Sequence, residues 1–320
     1  MAVYTDINDD DLASFMRLYD IGSIKSFKGI AEGVSNSNFL LETQAGRYIL
    51  TLYEARTETA ELPFFISLME HLAKKGINCP QPVLQRSGAA LTELAEKPAA
   101  LLSYLDGISL KKPRAEHCLE AGEALAKLHL AGRDFSLQRK NDLSVAGWKE
   151  LFQQAQPRIE SVQAGLNGLI SNELKFLDQN WPDTLPKGII HADLFPDNVF
   201  FLNNKLSGII DFYFACTDIL AYDLAISLNA WAFEPDGSYN ITKARALCAG
   251  YQCVRPLTLD EHTAMPVLVR GAALRFLLTR LVDWLNVPEG ALVKPHDPLV
   301  FYKRLRFHQT VKNTGDLGFL

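Results

Sequence analysis

No Cys-x-x-Cys pair occurs among the five cysteines (Cys79, Cys118, Cys216, Cys248, Cys253), which are odd in number and scattered. A zinc ribbon and a disulfide framework both need regular pairs, so buried free thiols in a reducing compartment are the expectation. Nor is there a surplus of positive charge. With 32 Lys and Arg against 37 Asp and Glu, the net charge is −5, which argues against a nucleic-acid binder relying on a basic face. No long apolar run is free of charge: residues 209–232 are interrupted by Asp211, Asp218 and Asp223, so no membrane span is expected. The first residues, Met1-Ala-Val-Tyr-Thr-Asp6, hold no basic segment leading into an apolar run, so no secretory signal is expected and a cytoplasmic location follows. Internal repeats and low-complexity segments are missing too.

What remains is a chain of 320 residues, 48% hydrophobic and 22% charged, long enough to bury a large core in two lobes. Asn8 precedes three acids and the helically spaced Leu12, Phe15, Met16 and Tyr19, predicting a capped helix. Strands are predicted over 24–30, 38–43 and 47–53, a helix over 58–75, a hairpin over 83–94 turning at Arg86-Ser-Gly88, and a buried strand over 98–105. From Arg114 onward helical spacing dominates: 115–130, 148–167, 171–180, 222–231, 239–251, 259–287 and 298–311. The composition shift near residue 106 predicts a β-rich lobe over 1–105 and a helical lobe over 106–320.

Two short apolar runs deliver polar groups at their ends. The first leads into His191-Ala-Asp-Leu-Phe-Pro-Asp-Asn198, and the second ends in Ile210-Asp-Phe212. Asn203-Asn204 between 199–202 and 206–210 predicts a hairpin, because Asn tolerates positive φ. Such a hairpin folds Asp211 back toward Asn198. The chemistry that wants an acid, an amide and a second acid at one loop mouth is phosphoryl transfer to an alcohol. Asp193 is the candidate proton acceptor, with Asn198 and Asp211 as oxygen donors to Mg²⁺. The loop over 29–38, with Gly29, Gly33, Ser35 and Asn36, suits close approach of backbone amides to phosphates. His129 and Asp223 read as structural groups, the latter capping its helix or holding the backbone of the catalytic loop.

These motifs resemble the aminoglycoside phosphotransferase-like kinases, a branch of the protein-kinase-like fold that phosphorylates small molecules. Glu32-Gly-x-x-Asn-Ser-Asn-Phe39, the segment 191–198 and Ile210-Asp-Phe212 carry the likeness. Tyr48-Ile-Leu-Thr-Leu-Tyr-Glu54, Asp211-Phe-Tyr-Phe-Ala-Cys-Thr-Asp218 and the stretch from Asp297 to His308 are similar to the homoserine kinases of that superfamily. The resemblance implies a two-lobed α+β fold, with ATP and Mg²⁺ as cofactors and homoserine as substrate in threonine biosynthesis. It also implies Ser103, Tyr104 and Leu105 against the adenine. Asp218 and one arginine of the apolar helix carrying Arg270, Arg275 and Arg280, with Arg275 the choice, are candidates for gripping the amino acid, whose zwitterion needs a cation for its carboxylate and an acid for its ammonium. One departure stands out: Thr51 occupies the third-strand position where many relatives carry lysine, so neither Glu61 nor Glu70 is assigned as the partner of such a lysine. Two other readings are a kinase for a different small alcohol such as choline, with Trp231, Tyr222 and Trp284 as an aromatic cage, and a nucleotide-binding scaffold without activity.

Overall fold

A computed structural model describes residues 5–30, 36–54, 58–287 and 295–319. The chain divides into two compact units, one of residues 1–107 with 207–213, the other of 108–206 with 214–320.

In the first unit β1 (Ile24–Gly29), β2 (Ser37–Thr43), β3 (Arg47–Leu52), β4 (Leu91–Leu94) and β5 (Lys97–Ser103) form one antiparallel sheet of order β1-β2-β3-β5-β4. Burial in β2 alternates strictly, with Ser37, Phe39, Leu41 and Thr43 inward, the period-two signature of a half-covered strand. Helix α1 (Asp9–Met16) adds Leu12 and Phe15 to the core formed with Phe39, Leu41, Leu50, Leu52 and Leu101. Its cap is the expected one, since the Asn8 side chain accepts the Asp11 amide. Helix α2 (Leu62–Lys74) buries Leu62, Phe65, Met69 and Leu72 and closes at Gly76. The segment predicted as a hairpin at Arg86-Ser-Gly88 differs. The turn forms, with the Gln85 amide on the Ala89 carbonyl at 2.8 Å, but only Leu91–Leu94 is a strand, and that strand pairs with β5 through a second turn at Ala95 and Glu96, both at positive φ (51° and 59°).

The second unit is mostly helical. Strand β6 (Ile108–Ser109) leads to α3 (Ala115–Ala131), α4 (Val145–Ala155) and α5 (Leu166–Asn180). The sequence pattern ran one helix from 148 through 167. The structure breaks it earlier, with a tight turn beginning at Gln156-Pro157 and Gly165 at φ 80° before α5. Proline lacks the amide a continuing helix needs, and only glycine takes that φ without strain. Next come β7 (Lys187–Ile190), β8 (Val199–Leu202) and β9 (Lys205–Ile209), within which the chain passes to the first unit. The β8–β9 turn is Asn203-Asn204 at φ 49° and 64°, as the residue types require. After β10 (Cys216–Ile219), which pairs with β7, follow α6 (Leu220–Trp231), α7 (Ile241–Val254), α8 (Leu259–Leu285) and α9 (Leu299–His308). Helices α3 and α7 cross closely: a Cβ added at Gly122 would lie 2.1 Å from the Leu247 carbonyl oxygen, and one at Gly250 2.0 Å from that of Leu119.

All five cysteines are free, four of them buried, whereas Cys253 is exposed. Among the described residues no helix is long and apolar enough to cross a membrane.

A polar knot ties α6, α8 and α9 together. Asn229 gives its Nδ2 hydrogens to the Ala225 and Val269 carbonyls (3.0 and 3.1 Å), so its Oδ1 accepts from His308 Nε2 at 3.1 Å. Burial, with Arg304 and Arg270 nearby, pushes His308 down to about 3. Its neutral form therefore stabilises the fold fully above the ordinary value near 6.5, and that contribution fades as pH falls toward the folded value. Urea unfolding should show the native chain losing roughly 2 kcal/mol more than a His308→Gln variant between pH 6.5 and 5. Parallel pH profiles for the two proteins would show that His308 is not held neutral.

Candidate active site

Residues 191–198 link β7 to β8 and are held from beneath by side chains of distant elements. Asp223, fully buried on α6, accepts the His191 amide at Oδ2 (2.7 Å) and the Ala192 amide at Oδ1 (2.9 Å). Ala192 sits at φ 63°, a left-handed conformation costing about 1–2 kcal/mol for a residue with a Cβ. That strain persists because Asp223 grips both amides and Arg275 donates to the Ala192 carbonyl. Trp231 Nε1 donates to the Leu194 carbonyl at 2.8 Å, and the Phe195 ring packs 4.9 Å from that of Phe276.

Behind Asp223 runs a buried relay. His129 Nε2 meets Asp223 Oδ2 at 3.0 Å and its Nδ1 meets the Tyr251 hydroxyl at 2.8 Å. Arg255 donates to that hydroxyl and to Glu261 (3.1 and 2.8 Å). Burial alone would raise Asp223, but the hydrogen bond and charge of His129, with His191 behind them, hold it below the ordinary carboxylate value. Asp223 thus serves the loop backbone, one of the two roles open to it from sequence.

On this platform Asp193 and Asn198 come together. Asn198 Nδ2 donates to the Asp193 carbonyl at 2.8 Å and to its Oδ2 at 3.2 Å. The amide that donates through Nδ2 keeps Oδ1 as an acceptor, the atom a hard cation takes. Carboxylate and amide oxygens are the donor set that suits Mg²⁺, so Asn198 Oδ1 here fits such an ion. The Asp193 amide donates to His191 Nδ1 at 3.2 Å, a further bond within the loop.

Asp211 belongs to the first unit, just past β9, at φ 64°. Close by in sequence, the Tyr213 hydroxyl donates to that of Tyr53 at 3.3 Å; burial foremost, then Tyr53 and Asp211, raise it well above the ordinary tyrosine value. Thr51 is buried and donates to Asn38 Oδ1 at 2.7 Å, so this third-strand position carries a neutral hydroxyl rather than a cation. Gly29 ends β1 opposite Phe39, and buried Asn36 accepts the Glu54 amide at 3.3 Å. Gly33 and Ser35 lie outside the described residues. Ser103 is the last ladder residue of β5, opposite Tyr48; Tyr104 and Leu105 follow it, and Arg47 lies over the Tyr104 ring at 4.3 Å.

The two residues considered for the amino acid are in the second unit. Asp218 accepts Asn141 Nδ2 at 2.7 Å and the Ile219 amide at 2.8 Å. Arg275 is 1% exposed, and its bond to the Ala192 carbonyl places it under the loop. Sequence reasoning weighed Arg280 beside Arg270 and Arg275 but chose Arg275, and it passed over the aromatic platform of Phe195, Phe276 and Phe301. The only linear trace of that platform was a phenylalanine inside the catalytic motif.

A strained loop carrying an acid and an amide between two short strands, on an α+β scaffold, defines a kinase-like phosphotransferase. Residues 26–257 match the phosphotransferase enzyme family, and the chain belongs to it. Over nearly its full length it is similar to homoserine kinases. It is 63% identical to that of Xanthobacter autotrophicus over 99% of both chains, and 61% identical to that of a Bradyrhizobium strain over 99% of this chain and 98% of the relative. The fold is shared with amicoumacin kinase solved with AMP-PNP and Ca²⁺ (TM-score 0.69, 12% identity, 94% of this chain and 93% of that one). It is shared also with choline kinase from Cryptosporidium parvum (TM-score 0.66, 13% identity, 94% of each).

Proposed function

We propose that this enzyme transfers the γ-phosphoryl group of ATP to the side-chain hydroxyl of L-homoserine, giving O-phospho-L-homoserine for threonine biosynthesis in the cytoplasm. The likeness to homoserine kinases at 61–63% identity, with no large segment unmatched, carries the reading. The unit of 1–107 is assigned the nucleotide, through Gly29, Gly33, Ser35 and Asn36 at the phosphates and Ser103–Leu105 at the adenine. The end of the β5 ladder at Ser103 supports this, because the following backbone lies beyond the sheet pairing.

Asp193 takes the hydroxyl proton as the alcohol attacks. Asn198, by holding Oδ2 and the main-chain carbonyl of Asp193, keeps that carboxylate in one orientation, so little reorganisation is needed when the proton moves. Asn198 and Asp211 are assigned as protein oxygens for Mg²⁺, which when bound neutralises charge on the nucleotide phosphates. With Thr51 neutral, that neutralisation rests on the ion and on backbone amides rather than on a lysine.

Choline is a poorer fit. Trp231 and Tyr222 are 1% and 0% exposed, and the Trp231 indole is spent on the Leu194 carbonyl, so neither offers a free face to a quaternary ammonium. A Mg²⁺–ATP consumption screen over homoserine, choline, methylthioribose and aminoglycosides should give turnover with homoserine alone, at a rate abolished by a chelator and restored by Mg²⁺. Brisk turnover of another alcohol with none of homoserine would overturn the substrate.

A further inference from the structure

Helices α8 and α9 carry five arginines; the exposed Arg306 donates to Gln309 Oε1 at 2.7 Å, and the other four sort by partner. Arg270 pairs with Glu173 through Nε and Nη2, both at 2.7 Å, and covers the Phe176 ring. Arg275 is spent on the Ala192 carbonyl beneath the catalytic loop. Arg304 donates to the Asn229 carbonyl and lies over Phe233 and Phe301. Arg280 alone of the four has neither a carboxylate within ion-pair distance nor a carbonyl acceptor among the described residues.

Arg280 is nonetheless fixed in place. It is half-buried, and its guanidinium lies 4.5 Å over the Phe301 ring. Phe301 stacks on Phe276 at 5.1 Å and faces Phe195 at 6.4 Å, and Phe195 stands two residues after Asp193 in the catalytic loop. A planar cation is therefore mounted on an aromatic platform shared with the loop that carries the proposed base. Burial lowers the Arg280 pKa, while Asp193, Asp197 and Asp297 pull it back up, so carboxylates lie within electrostatic range without neutralising it by contact. Asp197 and Asp297 are exposed. A half-buried guanidinium beside exposed acids complements a zwitterion, and its two parallel N–H groups match a carboxylate.

We infer that Arg280 is the anchor for the α-carboxylate of the amino-acid substrate. This rests on the homoserine reading of the same site. The anchor binds the part of the substrate that does not react, so its loss should appear as a preference lost between two substrates rather than as a dead enzyme. The test compares kcat/KM for homoserine and for homoserine amide, in which a neutral carboxamide replaces the carboxylate, in the native enzyme and in Arg280→Gln. The native enzyme should favour homoserine on the order of 10–100-fold, the range for a charge-assisted contact. Arg280→Gln should lose a similar factor on homoserine, through KM more than kcat, show no preference between the two substrates, and keep the native KM for ATP. Arg280→Lys, retaining the charge without the fork, should fall between, and it carries the comparison if the glutamine variant does not fold. A variant that keeps the native preference for homoserine overturns the anchor alone. Failure of the native enzyme to phosphorylate homoserine overturns the substrate reading, and the anchor with it.

Discussion

Asp193→Asn is expected to slow phosphorylation by about 10²–10⁴-fold, the range for a general base, with ATP affinity and thermal unfolding close to native. The structural part of that expectation comes from Asn198. In the native loop Asn198 Nδ2 donates to Asp193 Oδ2 at 3.2 Å and to the main-chain carbonyl at 2.8 Å. An asparagine at 193 can present its own Oδ1 to that donor, so both bonds survive and the loop keeps its shape. What is lost is a basic oxygen. Turnover measured with homoserine, alongside nucleotide affinity and melting temperature, checks it. Full activity would show that the hydroxyl proton leaves by another route, as a loose transition state allows. A fall in both activity and stability would mean that Asp193 serves the fold.

Much of this arrangement could be read before any coordinates. The Asn203-Asn204 hairpin was legible because only a few residue types accept two successive positive φ values, and asparagine is one of them. The Ala95-Glu96 turn was not. Neither residue signals a left-handed turn, and the geometry is imposed by the β4–β5 ladder, with Leu94 opposite Lys97. The helix drawn from 148 to 167 failed for the opposite reason: apolar spacing continued across Pro157 and Gly165, and the periodicity outweighed the punctuation.

At the site, the acid–amide spacing of Asp193 and Asn198 is local and was visible as a motif. The supports are not local. Asp223 reaches amides about thirty residues away, and the Arg275 bond to Ala192 spans 83. Arg280 is the sharpest case, because its interest lies in what the other three arginines have and it lacks, which no linear pattern reports.

Asp223→Ala should carry the largest cost to stability of any single change at the site. It strands the His191 and Ala192 amides and the His129 imidazole in the interior together, and removing one member of a buried charged network costs about 3–5 kcal/mol. It also releases the restraint that keeps Ala192 at φ 63°, so activity should fall with stability, in contrast to Asp193→Asn. Asp223→Asn retains one acceptor but turns an N–H₂ group toward the second amide, and should lose about 2–3 kcal/mol. Urea unfolding of the three proteins checks the order. The pH dependence separates this group from His308. Because the folded Asp223 pKa is depressed, its contribution is complete above the unfolded value of roughly 3.9 and is lost only as pH falls through the folded one. The gap between native enzyme and Asp223→Ala should therefore hold constant from pH 8 down to about 5, across the upper part of the range where the His308 contribution fades. A gap that widens as pH falls from 8 to 5 would mean that the folded Asp223 carboxyl is raised rather than depressed.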